Sequence, residues 1–600
     1  MSMASLADRC RRSGGSMRAA LAAAAVLSSV GAPRAGAAGV AAAAKPADPW
    51  WRHAVVYEIY PRSFQDSNGD GVGDLKGIQS RLGYLRRLGV DAIWIAPMYP
   101  SPQVDFGYDI SNYEGVDPQY GTLADMNALI AAANKHQIRV LLDMVLNHTS
   151  DKHPWFLAAA RSRSDPHHDW YCWNDGKPGT GPNAHEGRLS PNNWTSLFGG
   201  SAWQWVPAVH QYYYHMFYRQ QPDLNWRNPA VEKAMFGAMR FWLDRGVAGF
   251  RLDAITELFE DPKLRDERVL GGTNALGDPI MDDSRQNNLP AVHDVIRRLR
   301  AMLNSYAGGR VLIGETYLPN TRDLDRWYGG ARHDELNLPM DMLLGFHGDH
   351  DKLDANSFRE HIEEAETQLH GSMPLFVFDN HDNVRSIDRY GDGAHDGAIN
   401  KLLASVLLTT RAAALLYYGE EIGMTTTTPT RREDVKDPIG ITGWPKEKGR
   451  DGERTPMQWT AGPQAGFSTN PRTWLPIPPS YKTVNVATES RQPNSQLRWF
   501  EKLIALRRSN LALRRGTITM LDTGNASVLT YLRSAGTGNA VVVALNFTAQ
   551  PRTVALDLAG TGVRAAHVTT LLTDAPQLRA LATIDRVQLP PFAVWIASVR

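Results

Sequence analysis

A parallel (β/α)8 TIM barrel, with a small domain inserted after its third strand and a C-terminal antiparallel β-sandwich domain, is the α/β architecture this 600-residue chain predicts. Three observations carry the prediction. Eight short β-rich runs alternate with amphipathic helical patterns over most of the length. That alternation stops once, between Asn147 and about Gln221, in a stretch dense in Trp, Tyr, His, Pro, Gly and Asn. From about Gly516 it gives way to closely spaced β-rich runs.

The elements follow in chain order. Arg9, Arg11, Arg12 and Arg18 precede an Ala/Leu/Val run from Ala19 to Val30, then small residues around Ala35 to Ala37, so residues 1–44 read as an export signal and linker. An Ala-rich tail without structure is the alternative, and Met17 is an alternative start. Residues 45–147 and 222–515 hold the barrel. Its strands are expected at Val55 to Tyr60, Ala92 to Ala96, Val140 to Val145, Gly249 to Ile255, Val311 to Gly314, Glu335 to Met340, Leu375 to Phe378 and Ala414 to Tyr418. Helical spacing puts Ile78, Leu82, Leu85 and Leu88 on one face, Met126, Leu129, Ile130 and Ala133 on another, and Val231, Met235 and Met239 on a third. Residues 148–221 are too long for a structureless loop and read as the inserted domain. Residues 516–600 form the sandwich, with runs at Val528 to Leu532, Ala540 to Asn546, Val554 to Leu558, Val568 to Leu572 and Val587 to Val599.

Composition narrows the partners. The 64 basic and 63 acidic residues balance, which argues against nucleic acid and an anionic membrane and for a small neutral substrate. No run beyond the N-terminal one is long and apolar enough to span a bilayer, so membrane insertion is not expected. Only Cys10 and Cys172 occur, and removal of the signal leaves one thiol, so stability must come from packing. A periplasmic or secreted protein is expected, as a monomer or homodimer.

Three acidic residues close strand-like apolar runs: Asp253 in Gly-Phe-Arg-Leu-Asp, Glu315 in Val-Leu-Ile-Gly-Glu, and Asp382 in Phe-Val-Phe-Asp-Asn-His-Asp. Burying a carboxylate without a partner is costly, and three such endings point to a site. In a parallel barrel the loops after the strands converge on one face, which would unite residues scattered along the chain. Paired carboxyls there suit glycoside hydrolysis, one attacking and one donating a proton.

Asp143-Met-Val-Leu-Asn-His148, Gly249 to Asp253, Glu315 and Asn380-His-Asp382 resemble, in order, four motifs of the α-amylase superfamily of glycoside hydrolases. Gln221-Pro-Asp-Leu-Asn225 and Arg454-Thr-Pro-Met-Gln-Trp459 resemble its oligo-1,6-glucosidase and α-glucosidase branch. The resemblance covers roughly residues 50 to 600 and implies a retaining α-glucosidase that removes terminal glucose. Asp253 would be the nucleophile, Glu315 the acid/base, and Asp382 a ligand of ring hydroxyls. Arg251, two residues before Asp253 and so on the same strand face, would hold it ionised.

The resemblance further implies that His148 and His381 donate to sugar hydroxyls, that Asp105 and Arg454 clamp the terminal glucose, and that Tyr108 stacks beneath it. Phe198 and Phe217 either line the pocket or merely pack. Asp143 and Asn147 are expected to support the site through hydrogen bonds. Ala254, after the nucleophile, resembles members favouring α-1,4 over α-1,6 links, so maltose is the first substrate expected. Alternatives are a transglucosylase or isomerase of the same superfamily, making trehalose or isomaltulose, and an inactive transporter partner subunit.

Asp66, Asn68, Asp70, Val72 and Asp74 place oxygen donors at alternate positions of a Gly-rich loop, which reads as a structural Ca²⁺ site. Gly77 stands where an EF-hand needs glutamate, whereas closure by Asp74 resembles the calcium loop of this branch. A metal-free turn cluster is the alternative. No organic cofactor is expected. His167-His168 and His347 with His350 suggest zinc only weakly, and solvated surface histidines are expected instead.

Overall fold

The computed structural model describes residues 48–346, 351–522, 524–536, 538–563 and 567–600. The expected export signal, together with His347 and His350, lies outside the described residues.

Eight parallel strands close into a barrel: β1 (Val55–Ile59), β2 (Ala92–Ile95), β3 (Arg139–Val145), β4 (Gly249–Asp253), β5 (Val311–Gly314), β6 (Leu338–Asp341), β7 (Leu375–Val377) and β8 (Ala413–Tyr417). Each strand pairs with its neighbour in sequence, and β1 closes on β8 through Val55 opposite Ala414 and Tyr57 opposite Leu416. Alternation sorts the side chains. Val56, Trp94, Leu141, Ile313, Met340 and Leu415 fill the interior, while Tyr57, Ile93, Leu142, Phe250, Leu312 and Leu416 pack against the helices. Both faces are buried, which is why these runs read as continuously apolar. Gly249 is obligatory at the base of β4, because its φ of 151° is open to glycine and a Cβ there would lie 2.0 Å from the carbonyl oxygen of Val311.

Two barrel-strand boundaries shift by more than one residue from expectation. β4 ends at Asp253, since Ala254 turns left-handed at φ 46°. β6 starts at Leu338, not Glu335, whose side chain instead meets His293 and Arg297. The first helical pattern divides into Leu75–Ser80 and Leu82–Leu88 at Arg81, with all four expected apolar residues buried. Leu123–Lys135 begins at a capping box of Thr122 and Asp125, and Pro229–Leu243 is capped by Asn228.

Between β3 and β4 the aromatic-rich stretch forms a three-stranded antiparallel sheet of Trp173–Asn174, Gln211–Tyr214 and Trp203–Val206, beside a short ribbon. Trp194, Trp203 and Tyr214 share one apolar cluster with the barrel interior, so this segment sits on the barrel mouth. A hairpin of Arg268–Thr273 and Pro279–Asp282, which the sequence did not announce, follows β4.

Past the barrel, β9 (Thr517–Met520), β10 (Val528–Ser534), β11 (Ala540–Asn546), β13 (Val568–Thr573) and β15 (Val594–Val599) form one antiparallel sheet, in the order β9-β10-β11-β15-β13. β12 (Arg552–Val554) and β14 (Val587–Leu589) make a separate ribbon. Val541, Val543 and Ile596 face the barrel helices, while Val542, Ala544 and Trp595 face the ribbon. The expected run Val587 to Val599 is thus two strands of different sheets. Pro590 and Pro591 separate them, as neither can donate to a ladder.

Candidate active site

The carboxyl ends of the barrel strands carry the acids, as a parallel barrel demands. Asp253 terminates β4, Glu315 follows β5, and Asp382 lies in the turn after β7. All three line one cavity, together with Asp105, Tyr108, His148, Phe198, Phe217 and His381.

Arg251 organises the floor and is fully buried. Its Nη1 donates to Asp253 Oδ1 at 2.6 Å and to Asp143 at 3.1 and 3.2 Å. Its Nη2 meets Glu315 Oε1 at 2.6 Å, a close ion pair without hydrogen-bond alignment. One guanidinium therefore serves three carboxyls. Burial raises Asp253, Glu315 and Asp143 above the ordinary carboxylate range, with Arg251 opposing the rise in each. Glu315 is further anchored where the Ala254 N–H donates to Oε2 at 3.0 Å.

Asp382 is the opposite case. Burial would raise it, but His381, Arg450 and Arg454 outweigh burial and hold it well below the usual range. Arg450 Nη1 and Arg454 Nη2 both donate to its Oδ1, at 2.9 and 2.7 Å. His381 lies between the rings of Tyr60 and Tyr108, with centroids 5.6 and 5.3 Å away, and hydrogen-bonds the Tyr108 hydroxyl at 2.7 Å. Tyr108 also donates to Asp143. His148 is neutral, lowered to about 3 by burial, and bonds Asn147 Oδ1 and Gln221. Asn147 donates to Asp223 and to the Glu257 carbonyl, a supporting role.

The clamp departs from expectation. Asp105 Oδ1 is met not by Arg454 but by Arg450 Nη2, at 2.9 Å, and Gln221 donates to its Oδ2. Arg450 bridges Asp105, Asp382 and Asp437, whereas Arg454, fully buried, donates from Nη2 to Asp382 and from Nε to the His381 carbonyl. Of the two arginines, only Arg450 lines the cavity. Phe198 and Phe217 both line the cavity. Their ring centroids are 5.7 Å apart, Phe217 lies 5.2 Å from His148, and Arg450 stands over Phe198.

Sequence reasoning missed Arg450, Glu257, Thr256, Tyr317 and Leu197 among the lining residues. Arg450 had a signal: it precedes, by four positions, an arginine already singled out. One further expectation changes. His168 is not a solvated residue; it is buried, bonded to the Ala159 carbonyl and to Gln211. Among the described residues no group of three or more His, Cys, Asp or Glu side chains is arranged to hold a metal ion.

In the loop after β1, Gly69 and Gly71 adopt left-handed φ of 80° and 94°. Asp66 accepts the N–H groups of Asn68, Gly69 and Gly71 and the Ser468 hydroxyl. Asp74 accepts from Ser67 and Gly77. Asn68, Asp70 and Asp74 keep spare lone pairs, and Asp66 already has four donors. The donor set suits a hard cation in kind, with no catalytic acid in it.

A closed parallel barrel with buried carboxyls gathered at its carboxyl-terminal mouth is the framework of a glycoside hydrolase. The chain belongs to the alpha-amylase family, whose catalytic-domain model matches residues 58–516. It is 42% identical over 508 residues to a probable alpha-glucosidase of Rhizobium meliloti, covering 82% of this chain and 88% of that one. An oligo-1,6-glucosidase of Parageobacillus thermoglucosidasius is 36% identical, over 82% and 90% of the two chains. Among solved structures, the alpha-glucosyl transfer enzyme XgtA superposes with a TM-score of 0.80 at 38% identity, over 92% of this chain and all of that one. Among the described residues no helix is long and apolar enough to cross a membrane.

Proposed function

We propose that the protein is a retaining, exo-acting α-glucosidase that releases terminal non-reducing glucose from short α-linked oligosaccharides, maltose-type links before α-1,6 links. The observation that carries this reading is the bridge of Arg450 between Asp105 and Asp382, a charged wall with the acids in front of it. Such a wall leaves room for a chain end and not for a chain passing through.

The chemistry divides between two carboxyls. Asp253 holds the aligned hydrogen bond of Arg251 and is the better placed to be ionised and attack the anomeric carbon. Glu315 lacks that alignment and keeps the proton, which passes to the leaving oxygen as the glycosidic bond breaks. It then takes a proton from the water that hydrolyses the glycosyl ester. Asp382, held ionised by two arginines, grips ring hydroxyls. Chromatography of products from maltose, isomaltose and sucrose tests the reading: free glucose from maltose is expected, and no glucose from any of them overturns it. Transfer is the second reading, favoured by the likeness to an alpha-glucosyl transfer enzyme; new disaccharides from sucrose or maltose in the same experiment identify it.

Ala254 lines the cavity in a left-handed conformation, where a β-branched residue is strained. Ala254→Val is expected to shift the ratio of kcat/KM for maltose over isomaltose by about tenfold toward isomaltose, the scale of a small steric change in a pocket. A lower melting temperature is expected with it. An unchanged ratio assigns linkage choice to the surrounding loops.

A structural Ca²⁺ at Asp66 to Asp74 is a separate proposal, supported by oxygen donors at alternate positions and by the two left-handed glycines. Chelation is expected to lower the melting temperature, and added Ca²⁺ to restore it, because a ligand of the folded state stabilises by mass action. An unmoved melting curve leaves the loop held by its own hydrogen bonds.

A further inference from the structure

The cavity contains one carboxyl that the reaction does not use. Glu257 closes the short helical turn Ile255–Glu257 that follows Asp253 and Ala254, and it is among the residues lining the cavity. It is 7% exposed. Its Oε1 accepts the Thr256 hydroxyl at 2.7 Å, and Asn147 ties its backbone carbonyl at 2.8 Å, so the turn is fixed from two sides. The charged groups bearing on it are acidic: Glu315, Asp283 and Asp223. Surface glutamates do not sit this way, and a buried packing residue would be apolar.

Its position in the cavity says what it meets. The wall of Asp105, Arg450 and Asp382 bounds the sugar that is released. Glu315 stands by the oxygen that leaves, so groups close to Glu315 on the segment after Asp253 border the sugar or alcohol on the far side of the scissile bond. Ala254, Thr256 and Glu257 are that segment.

We propose that Glu257 is a specificity-determining residue that holds a hydroxyl of the sugar beyond the scissile bond, resting on the glucosidase reading above. A neutral carboxyl can both donate and accept, and so can satisfy a sugar hydroxyl in either sense. Burial, then the nearby Glu315 and Asp283, raises Glu257 to about 8, so that near neutral pH it is mostly such a group. Above that pH it becomes a carboxylate beside Glu315. It then loses its donor and adds a second negative charge that disfavours ionisation of Glu315.

The test compares maltose with p-nitrophenyl α-glucoside, whose flat aglycone carries no sugar hydroxyl, in the full chain and in Glu257→Ala and Glu257→Gln. A site that hydrogen-bonds a hydroxyl loses substrates that need it far more than analogues that lack it. Glu257→Ala is expected to lower kcat/KM for maltose about tenfold, mainly through KM, and to change the aryl glucoside less than twofold. Glu257→Gln, which keeps one donor and one acceptor, is expected to retain maltose activity at pH 7 and to lose less of it than the parent between pH 7 and 9. An equal fall on both substrates in Glu257→Ala, or an identical alkaline limb in Glu257→Gln, overturns the proposal. A parent that cleaves neither substrate overturns the glucosidase reading instead.

Discussion

Asp253→Asn is expected to abolish turnover of maltose and of aryl α-glucosides alike, by at least ~10³-fold, because an amide cannot form the glycosyl ester on which both depend. The fold should survive. Arg251 retains Asp143 and Glu315, and removing one of three carboxyls crowded around a single guanidinium relieves repulsion in a buried cluster. The melting temperature should therefore hold or rise, as it does when a strained functional group is neutralised. Steady-state kinetics and a thermal melt decide the matter. A variant keeping more than a few per cent of parent activity removes Asp253 as the nucleophile.

Glu315→Gln separates the acid from the nucleophile. Proton donation to a poor leaving group is worth roughly 10² to 10⁴ in rate, so maltose turnover should fall on that scale. An aryl glucoside with a good leaving group needs little protonation, and formation of the glycosyl ester from it should fall far less. Because the amide cannot activate water for the second step, the ester should accumulate, visible as a burst of released phenol. Equal losses on both substrates, without a burst, would deny Glu315 the acid role.

The barrel was legible because its strands carry two buried faces, so each appears as a compact apolar run regardless of what surrounds it. The catalytic acids were legible for the same reason, as charges that interrupt such runs. Arg450 was not. It lies in Lys446-Glu-Lys-Gly-Arg-Asp-Gly-Glu-Arg454, where alternating charge looks like a solvated loop, and only its partners Asp105 and Asp382, remote in sequence, identify it as buried. Glu257 was hidden likewise: nothing in Ala-Ile-Thr-Glu-Leu separates an acid in a cavity from one on a surface. The hairpin Arg268–Thr273 has Gly271 and Gly272 within its first strand, which weakened any β signal. The Pro590-Pro591 break is legible in the sequence, since neither residue can donate to a ladder.

The sheet beyond residue 516 bears on what can be cut from this protein. Val541, Val543, Leu545 and Ile596 are buried in the same apolar cluster as the barrel helices, and Arg359 reaches from helix Ala355–Gln368 to the Val528 carbonyl. A chain ending at Arg515 would leave the barrel's side of that cluster facing water, an apolar patch of the kind that drives self-association. A fusion partner spliced in near Gly516 would split a single core down its middle. In folding terms the C-terminal region is thus a flank of the barrel, and heating should dismantle both in one cooperative step.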